Sequence, residues 1–256
     1  MADRYTYLPS IGIYIMLAWG IPPLFQQKEI RHKFLFPSGI IVLIILAVLS
    51  WNQCSYWKNS FTLFSRALRV TKDNYLANNC LGIVKFRQGE NQEAIDYYTE
   101  TIRLKPDFTG GYIGRGLTYC NIGKNQLALN DYNEAIRLDT NYADAYHNRG
   151  ITYHKLGQHQ QAIEDYNKAI LLKPNYFEIY NSRGITYYKL GQYQLAVDDF
   201  NKAILMEPDF AEAINNRSFA YFKQDNNRLG LTDAQKACAL GTCKALEWAK
   251  SRGLCR

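Results

Sequence analysis

From Tyr75 onward the sequence returns to itself every 34 residues. Gly82, Gly116, Gly150 and Gly184 keep that step, and so do Ala94, Ala128, Ala162 and Ala196. The rings Tyr98, Tyr132, Tyr166 and Phe200 follow it too. Several independent positions at one fixed period mark a repeat architecture, in which no unit can bury its apolar face alone and neighbours must stack. Each unit carries two apolar stripes at helical spacing, parted by a turn such as Leu156-Gly157-Gln158. Glycine in a helix interior costs about 1 kcal/mol relative to alanine. Gly150 therefore implies that the second helix of its unit approaches closely, with Ala162 opposite and Tyr153 and Tyr166 filling the space between adjacent hairpins. Pro106, Pro174 and Pro208 close three units, and Thr140 takes that place in the second. Proline disfavours helix in the residue before it, so Pro174 stops the second helix of its unit.

The pattern AYxNRGxxYxxLGxxxxAIxDYNKAI fills residues 145–170 and recurs almost intact in 179–204. It resembles the tetratricopeptide repeat (TPR), and the resemblance covers about two-thirds of the chain. The implied fold is all-α: a right-handed solenoid of about five helix-turn-helix repeats at 75–108, 109–142, 143–176, 177–210 and a degenerate 211–244. The last has Ser218 for the glycine and Gly230 for the alanine, as suits an end unit with one face toward solvent. Residues 242–256 read as a capping helix and tail, with Thr242 as N-cap and Gly253 as the stop.

In that family the concave face is built mainly from the first helix of each repeat. By resemblance its exposed positions are Asp144, His147, Ile151, His154 and Lys155; then Glu178, Asn181, Ile185, Tyr188 and Lys189; then Glu212, Asn215, Phe219, Phe222 and Lys223. Such a groove would suit a protein or extended peptide held by apolar contacts and side-chain amides; the bland alternative is ordinary solvated residues. Chaperone-binding relatives use a carboxylate clamp that needs asparagine where this chain has Ile83, Leu117, Ile151, Ile185 and Phe219, which argues against that ligand. His147 and His154 lie about 10 Å apart along one helix, too far for one ion to join both. No nucleophile–base pair, phosphate loop or cofactor motif stands out, so no catalytic, cofactor or metal residue is assigned.

Six cysteines are scattered without zinc spacing. Cys238 and Cys243 flank one tight turn, so their Cα atoms fall within disulfide reach; this is the preferred pair if the repeats lie outside the cytoplasm. Cys255 lies a helix-length away.

The N-terminal quarter has another character. Residues 7–25 and 35–51 contain no charge, and each is long enough to span a bilayer core as a helix. Residues 1–56 thus read as a two-span transmembrane hairpin, and 57–74 as an amphipathic juxtamembrane helix and linker. A signal peptide fits less well, because the start lacks a basic segment and no small-residue cleavage site follows. A buried soluble hairpin fits less well again, since both runs are apolar on all sides. The net charge is +7. Residues 1–74 hold eight Lys/Arg against three Asp/Glu, whereas residues 75–256 hold 22 against 20. The repeats therefore lack the basic footprint of a nucleic-acid binder. Lys28, Arg31 and Lys33 between the spans favour a cytoplasmic loop, but Lys58, Arg66, Arg69 and Lys72 after the second span argue the reverse, so charge leaves orientation open.

Arg4, Tyr7, Pro9, Ser10 and Gly12 fit the stretch (D/E)R-x-x-Y-x-P-S-x-G. That stretch is similar to one leading into a late span in bacterial relatives of the transmembrane-and-TPR O-mannosyltransferases, which have a GT-C glycosyltransferase fold. Trp57-Lys58-Asn59-Ser60 resembles the junction to the repeats in the same family. The resemblance implies an integral membrane protein with extracytoplasmic repeats. It also implies that the catalytic acids, which that family carries in early loops, are missing from these residues. The expectation is a non-enzymatic, membrane-anchored binding module, or else the C-terminal, non-catalytic remnant of such a glycosyltransferase.

Overall fold

The computed structural model describes residues 60–71 and 73–254. The chain divides into two units, Met1–Arg66 and Ala67–Arg256. Among the described residues there are twelve helices and no strand. The first is α1, Ser60–Val70. Five helical hairpins follow: α2 Tyr75–Arg87 with α3 Asn91–Leu104, α4 Thr109–Asn121 with α5 Asn125–Leu138, α6 Ala143–Lys155 with α7 His159–Leu172, α8 Phe177–Lys189 with α9 Tyr193–Met206, and α10 Ala211–Lys223 with α11 Asn227–Ala239. A last helix, α12, spans Lys244–Ser251. No described helix is long and apolar enough to cross a membrane. The two spans read from the sequence, and the linker up to residue 59, lie outside the described residues.

Within each hairpin the close approach is built from one glycine and one ring. A Cβ on Gly150 would meet Tyr166 Cε1 at 2.7 Å and the Ala162 carbonyl oxygen at 3.2 Å. Tyr166 is 1% exposed, and Tyr132 and Phe200 sit equivalently at 0%. Burying such a side chain contributes about 1.5–3 kcal/mol per repeat, enough to offset the helix penalty of the glycine. In the last hairpin the small residue has changed sides. The Phe222 ring packs where a Cβ on Gly230 would lie, 2.6 Å from it, and the Ser218 hydroxyl donates to the Gly230 carbonyl at 2.7 Å.

The turn inside a hairpin is fixed by backbone hydrogen bonds. After α6, Gly157 takes φ 75°. Its N–H donates to His154 O at 3.0 Å, and that of Gln158 to Tyr153 O at 2.9 Å. This pair of reversed bonds satisfies the last carbonyls of the helix and needs a left-handed residue, for which glycine has no Cβ penalty. The second helices α3, α5, α7 and α9 each end one residue before a position with φ near −140° and ψ near 90°, and α5 ends at Leu138 although Thr140 replaces the proline. Helix–helix packing can thus terminate the helix without the proline.

The start of the final helix differs from the expected one. Cys243, not Thr242, is the N-cap of α12, with no side-chain cap bond. Thr242 is already committed: its N–H donates to Ala237 O at 2.8 Å, closing α11 beside Gly241 at φ 96°. At the other end Gly253 has φ 69°, and Leu254 N–H reaches Ala249 O at 3.0 Å, so the helix stops there. Ala245 and Ala249 are fully buried where α12 packs on α10 and α11.

Candidate binding groove

Successive first helices (α2, α4, α6, α8, α10) touch one another as well as their own partners, which places them on the tighter, inner side of the array. Three rows run across that side in the last three hairpins. Asp144, Glu178 and Glu212 stand in the first turns of α6, α8 and α10, and Lys155, Lys189 and Lys223 in the last turns. Each sign matches the helix dipole at its end, worth about 0.3–1 kcal/mol. Between the rows Ile151, Ile185 and Phe219 form a half-buried apolar strip.

Burial divides the residues that the family pattern placed at the surface. Lys155, Lys189, Glu212 and Lys223 are exposed, while Asp144, His154, Glu178 and Tyr188 are half-buried. His147, Asn181, Asn215 and Phe222 are buried, at 8%, 5%, 4% and 6% exposure, so the expectation of open surface fails at these four. The reason is the next hairpin or the cap. His147 meets Ser182 at 2.9 Å and lies between the rings of Tyr166 and Tyr176. Asn181 Nδ2 faces Glu212 Oε1 at 3.4 Å, and its Oδ1 accepts from Asn216 at 3.1 Å. Asn215 Oδ1 accepts the Ala245 N–H of α12 at 3.0 Å. Phe222 and Phe219 both pack on Trp248 of α12, at 5.0 and 5.8 Å between ring centroids.

A pocket of about 260 Å³ opens between α6, α8 and α10. Ile151, Ile185 and Phe210 supply apolar walls, and His154, Glu178, Asn181, Ser182 and Glu212 supply polar ones. The hydroxyl hydrogens are assigned by their partners. Ser182 Oγ–H donates to Glu178 O at 2.9 Å, so His147 Nε2 must carry the proton in their contact. Thr186 Oγ–H donates to Ser182 O at 3.0 Å, so His154 Nδ1 is the protonated nitrogen in its 2.8 Å contact with Thr186, leaving Nε2 an acceptor. Burial holds the His147 pKa down at about 4, and burial together with His159 and Lys189 lowers that of His154, so both imidazoles are neutral at pH 7.

A second set of residues went unassigned in the sequence. Arg115, Arg149, Arg183 and Arg217 each make a two-pronged bond to Asp131, Asp165, Asp199 and Asp233, sixteen residues on, at 2.7–2.9 Å. Their third nitrogen reaches back to Thr99, Asn133, Asn167 and Asn201 of the preceding hairpin. The hydrogen bonds it donates to Asp131 push the Arg115 guanidinium above its ordinary pKa against the opposing effect of burial. The 34-residue step of both rows was the available signal. This ladder clamps first helix to second and each hairpin to the one before.

At the end of the array the Cys238 and Cys243 sulfurs are 1.92 Å apart, with Cα atoms 4.0 Å apart. Among the described residues no group of three or more His, Cys, Asp or Glu side chains is placed to hold a metal ion.

A solenoid of stacked helical hairpins with an open inner face defines a repeat protein suited to holding a protein or peptide chain. TPR family models match residues 116–157, 152–191 and 177–210, and a further one matches 62–107. Together they take in more than half of the sequence, and the chain belongs to the tetratricopeptide-repeat family. The match from residue 62 takes in most of α1, which the sequence reading had as part of an amphipathic juxtamembrane helix and linker. Phe64 does stand 34 residues before Tyr98. The protein O-mannosyl-transferase Tmtc3 of Drosophila melanogaster is 24% identical over 123 residues, 48% of this chain and 13% of that protein. The chain thus spans about an eighth of that relative's length. Among solved structures, YrrB, described as a TPR protein with an unusual peptide-binding site, superposes with a TM-score of 0.56 at 21% identity, covering 73% of this chain and 97% of that one. PilF of Pseudomonas aeruginosa gives 0.63 at 14% identity, covering 70% and 84%. These two likenesses concern the fold.

Proposed function

We propose that this protein is a membrane-anchored TPR module that holds an extended peptide or a segment of a partner protein along the inner face of α6, α8 and α10, without catalysing a reaction itself. The observation that carries the reading is the apolar strip Ile151–Ile185–Phe219, flanked by one carboxylate and one lysine per repeat and opening into a pocket. Such a surface offers a peptide backbone apolar contact and side-chain acceptors and donors at a regular spacing. The anchor rests on the uncharged stretches 7–25 and 35–51, each long enough to cross a bilayer core as a helix; the extracytoplasmic side for the repeats rests on the resemblance carried by Arg4, Tyr7, Pro9, Ser10 and Gly12.

Photo-crosslinking in native-host membranes tests it. A photoreactive residue at Ile185 should capture a partner, whereas one at Leu205, 84% exposed on α9, should not. Capture only from Leu205 would move the interface to the other face. Alkaline carbonate washing should leave the chain in the membrane pellet; release into the wash would remove the anchor.

A second reading is favoured by the similarity to Tmtc3 together with the Arg4-Tyr7-Pro9-Ser10-Gly12 pattern. In it the repeats present acceptor protein to a membrane glycosyltransferase of the GT-C type, whose catalytic residues lie elsewhere. A multi-span glycosyltransferase recovered by crosslinking from Ile185 supports it, and its absence among the captured proteins counts against it.

A further inference from the structure

Resting on that groove reading, we propose that the pocket between α6, α8 and α10 is the receptor for one basic side chain, lysine or arginine, of the bound peptide. The pocket faces inward with acceptors. Glu178 and Glu212 bring two carboxylates, and no lysine or arginine lines it. Glu178 Oε2 is buried and has no hydrogen-bond partner among the described residues. A buried carboxylate oxygen left unpaired is unfavourable, and a rotation of the Glu178 carboxylate toward the pocket would pair it with an incoming N–H.

The donors of the pocket are turned to partners inside the protein. Ser182 gives its hydrogen to Glu178 O, and His154 gives its Nδ1 hydrogen to Thr186. Asn181 turns its amide toward Glu212, itself a wall of the pocket. Most of what remains for a ligand accepts: the two carboxylates, His154 Nε2 and a Ser182 lone pair. An acidic ligand would bring a like charge against both carboxylates. A cationic one finds charge-assisted hydrogen bonds, the strong kind. The apolar walls fit the rest of the same side chain: Ile151, Ile185 and Phe210 match the methylene stem of lysine or arginine, which packs on apolar surface while its head stays polar. A volume of about 260 Å³ holds one such side chain. The row Asp144–Glu178–Glu212 sets the acidic edge on one side of the pocket, so the cation points toward the starts of the first helices.

The test uses the full chain in nanodiscs, panned against a random heptapeptide display library. Selected peptides should carry Arg or Lys at one common position. Synthetic versions with citrulline or norleucine there should bind at least about tenfold more weakly, the loss of one charge-assisted contact. Glu178→Gln combined with Glu212→Gln should abolish the preference for the charged peptide, with helicity and melting unchanged, and Ile185→Asp should abolish binding altogether. Peptides that bind with no basic position, yet are lost in Ile185→Asp, would overturn the pocket assignment and leave the groove standing. A library that yields no binder at all would overturn the groove, and the pocket with it.

Discussion

Replacing Asp199 with alanine probes the ladder that ties the hairpins together. Arg183 donates from Nε and Nη2 to the two Asp199 oxygens at 2.7 Å, with the side chains only 14% and 4% exposed. Removing the carboxylate leaves a guanidinium in place without its counter-charge, which costs about 3–5 kcal/mol. Asn167 still accepts one of its hydrogens, so the lower end, about 3 kcal/mol, is expected. For a domain of this size about 2–4 °C follow each kcal/mol, giving a melting midpoint roughly 6–12 °C lower. Because repeats interact only with neighbours, the loss should concentrate in α8, α9 and the hairpins beside them. Hydrogen exchange would show that, alongside thermal melting by circular dichroism. The pairing Arg183→Met with Asp199→Leu removes both charges and should recover most of the loss. A midpoint within about 2 °C of the parent for Asp199→Ala, or a double variant no better than the worse single one, would refute the reasoning.

Acid should weaken the fold through His147, whose pKa is lowered from 6.5 to about 4 by burial. A lowered histidine costs nothing above pH 6.5; below it the unfolded chain takes up a proton that the folded chain refuses. Stability therefore falls between pH 6.5 and about 4 by up to about 3 kcal/mol, and urea midpoints of His147→Gln should fall less steeply across that window than those of the parent. Gly150→Ala should destabilise by about 1–3 kcal/mol despite alanine's better helix propensity, because its Cβ would sit 2.7 Å from the Tyr166 ring. Gly157→Ala, with open space but φ 75°, should cost nearer 1 kcal/mol, and parallel melts would rank the two. Joined as a disulfide, Cys238 and Cys243 should resist alkylation until reductant is added. Reduction should loosen α12 by about 2 kcal/mol in hydrogen exchange while leaving α2–α9 unchanged, and mass spectrometry reads both.

The repeat and its helices were legible because their signals are local and periodic. A glycine, an alanine and a ring at a fixed offset already describe how two adjacent helices meet, and Gly150, Ala162 and Tyr166 do meet that way. The change of sides at Ser218 and Gly230 was visible as a departure from the pattern, but its compensation by Phe222 was not, since Phe222 seemed to belong to the groove. The Arg–Asp rows share the same period and escaped notice because charged residues on a helix read by default as solvated.

The sequence, through its resemblance to the tetratricopeptide repeat, determined which face of each first helix turns inward, and 3.6 residues per turn keeps those positions on one side of the helix. It could not determine how much of that face stays open. His147, Asn181, Asn215 and Phe222 point inward as their positions require, yet each is covered by residues 26–35 places along the chain: Ser182, Asn216, Ala245 and Trp248. The proton positions that make the pocket an acceptor are likewise set across hairpins, through Ser182 and Thr186. Helical period fixes direction about an axis; only the distance to the next packed hairpin decides what is left for a ligand.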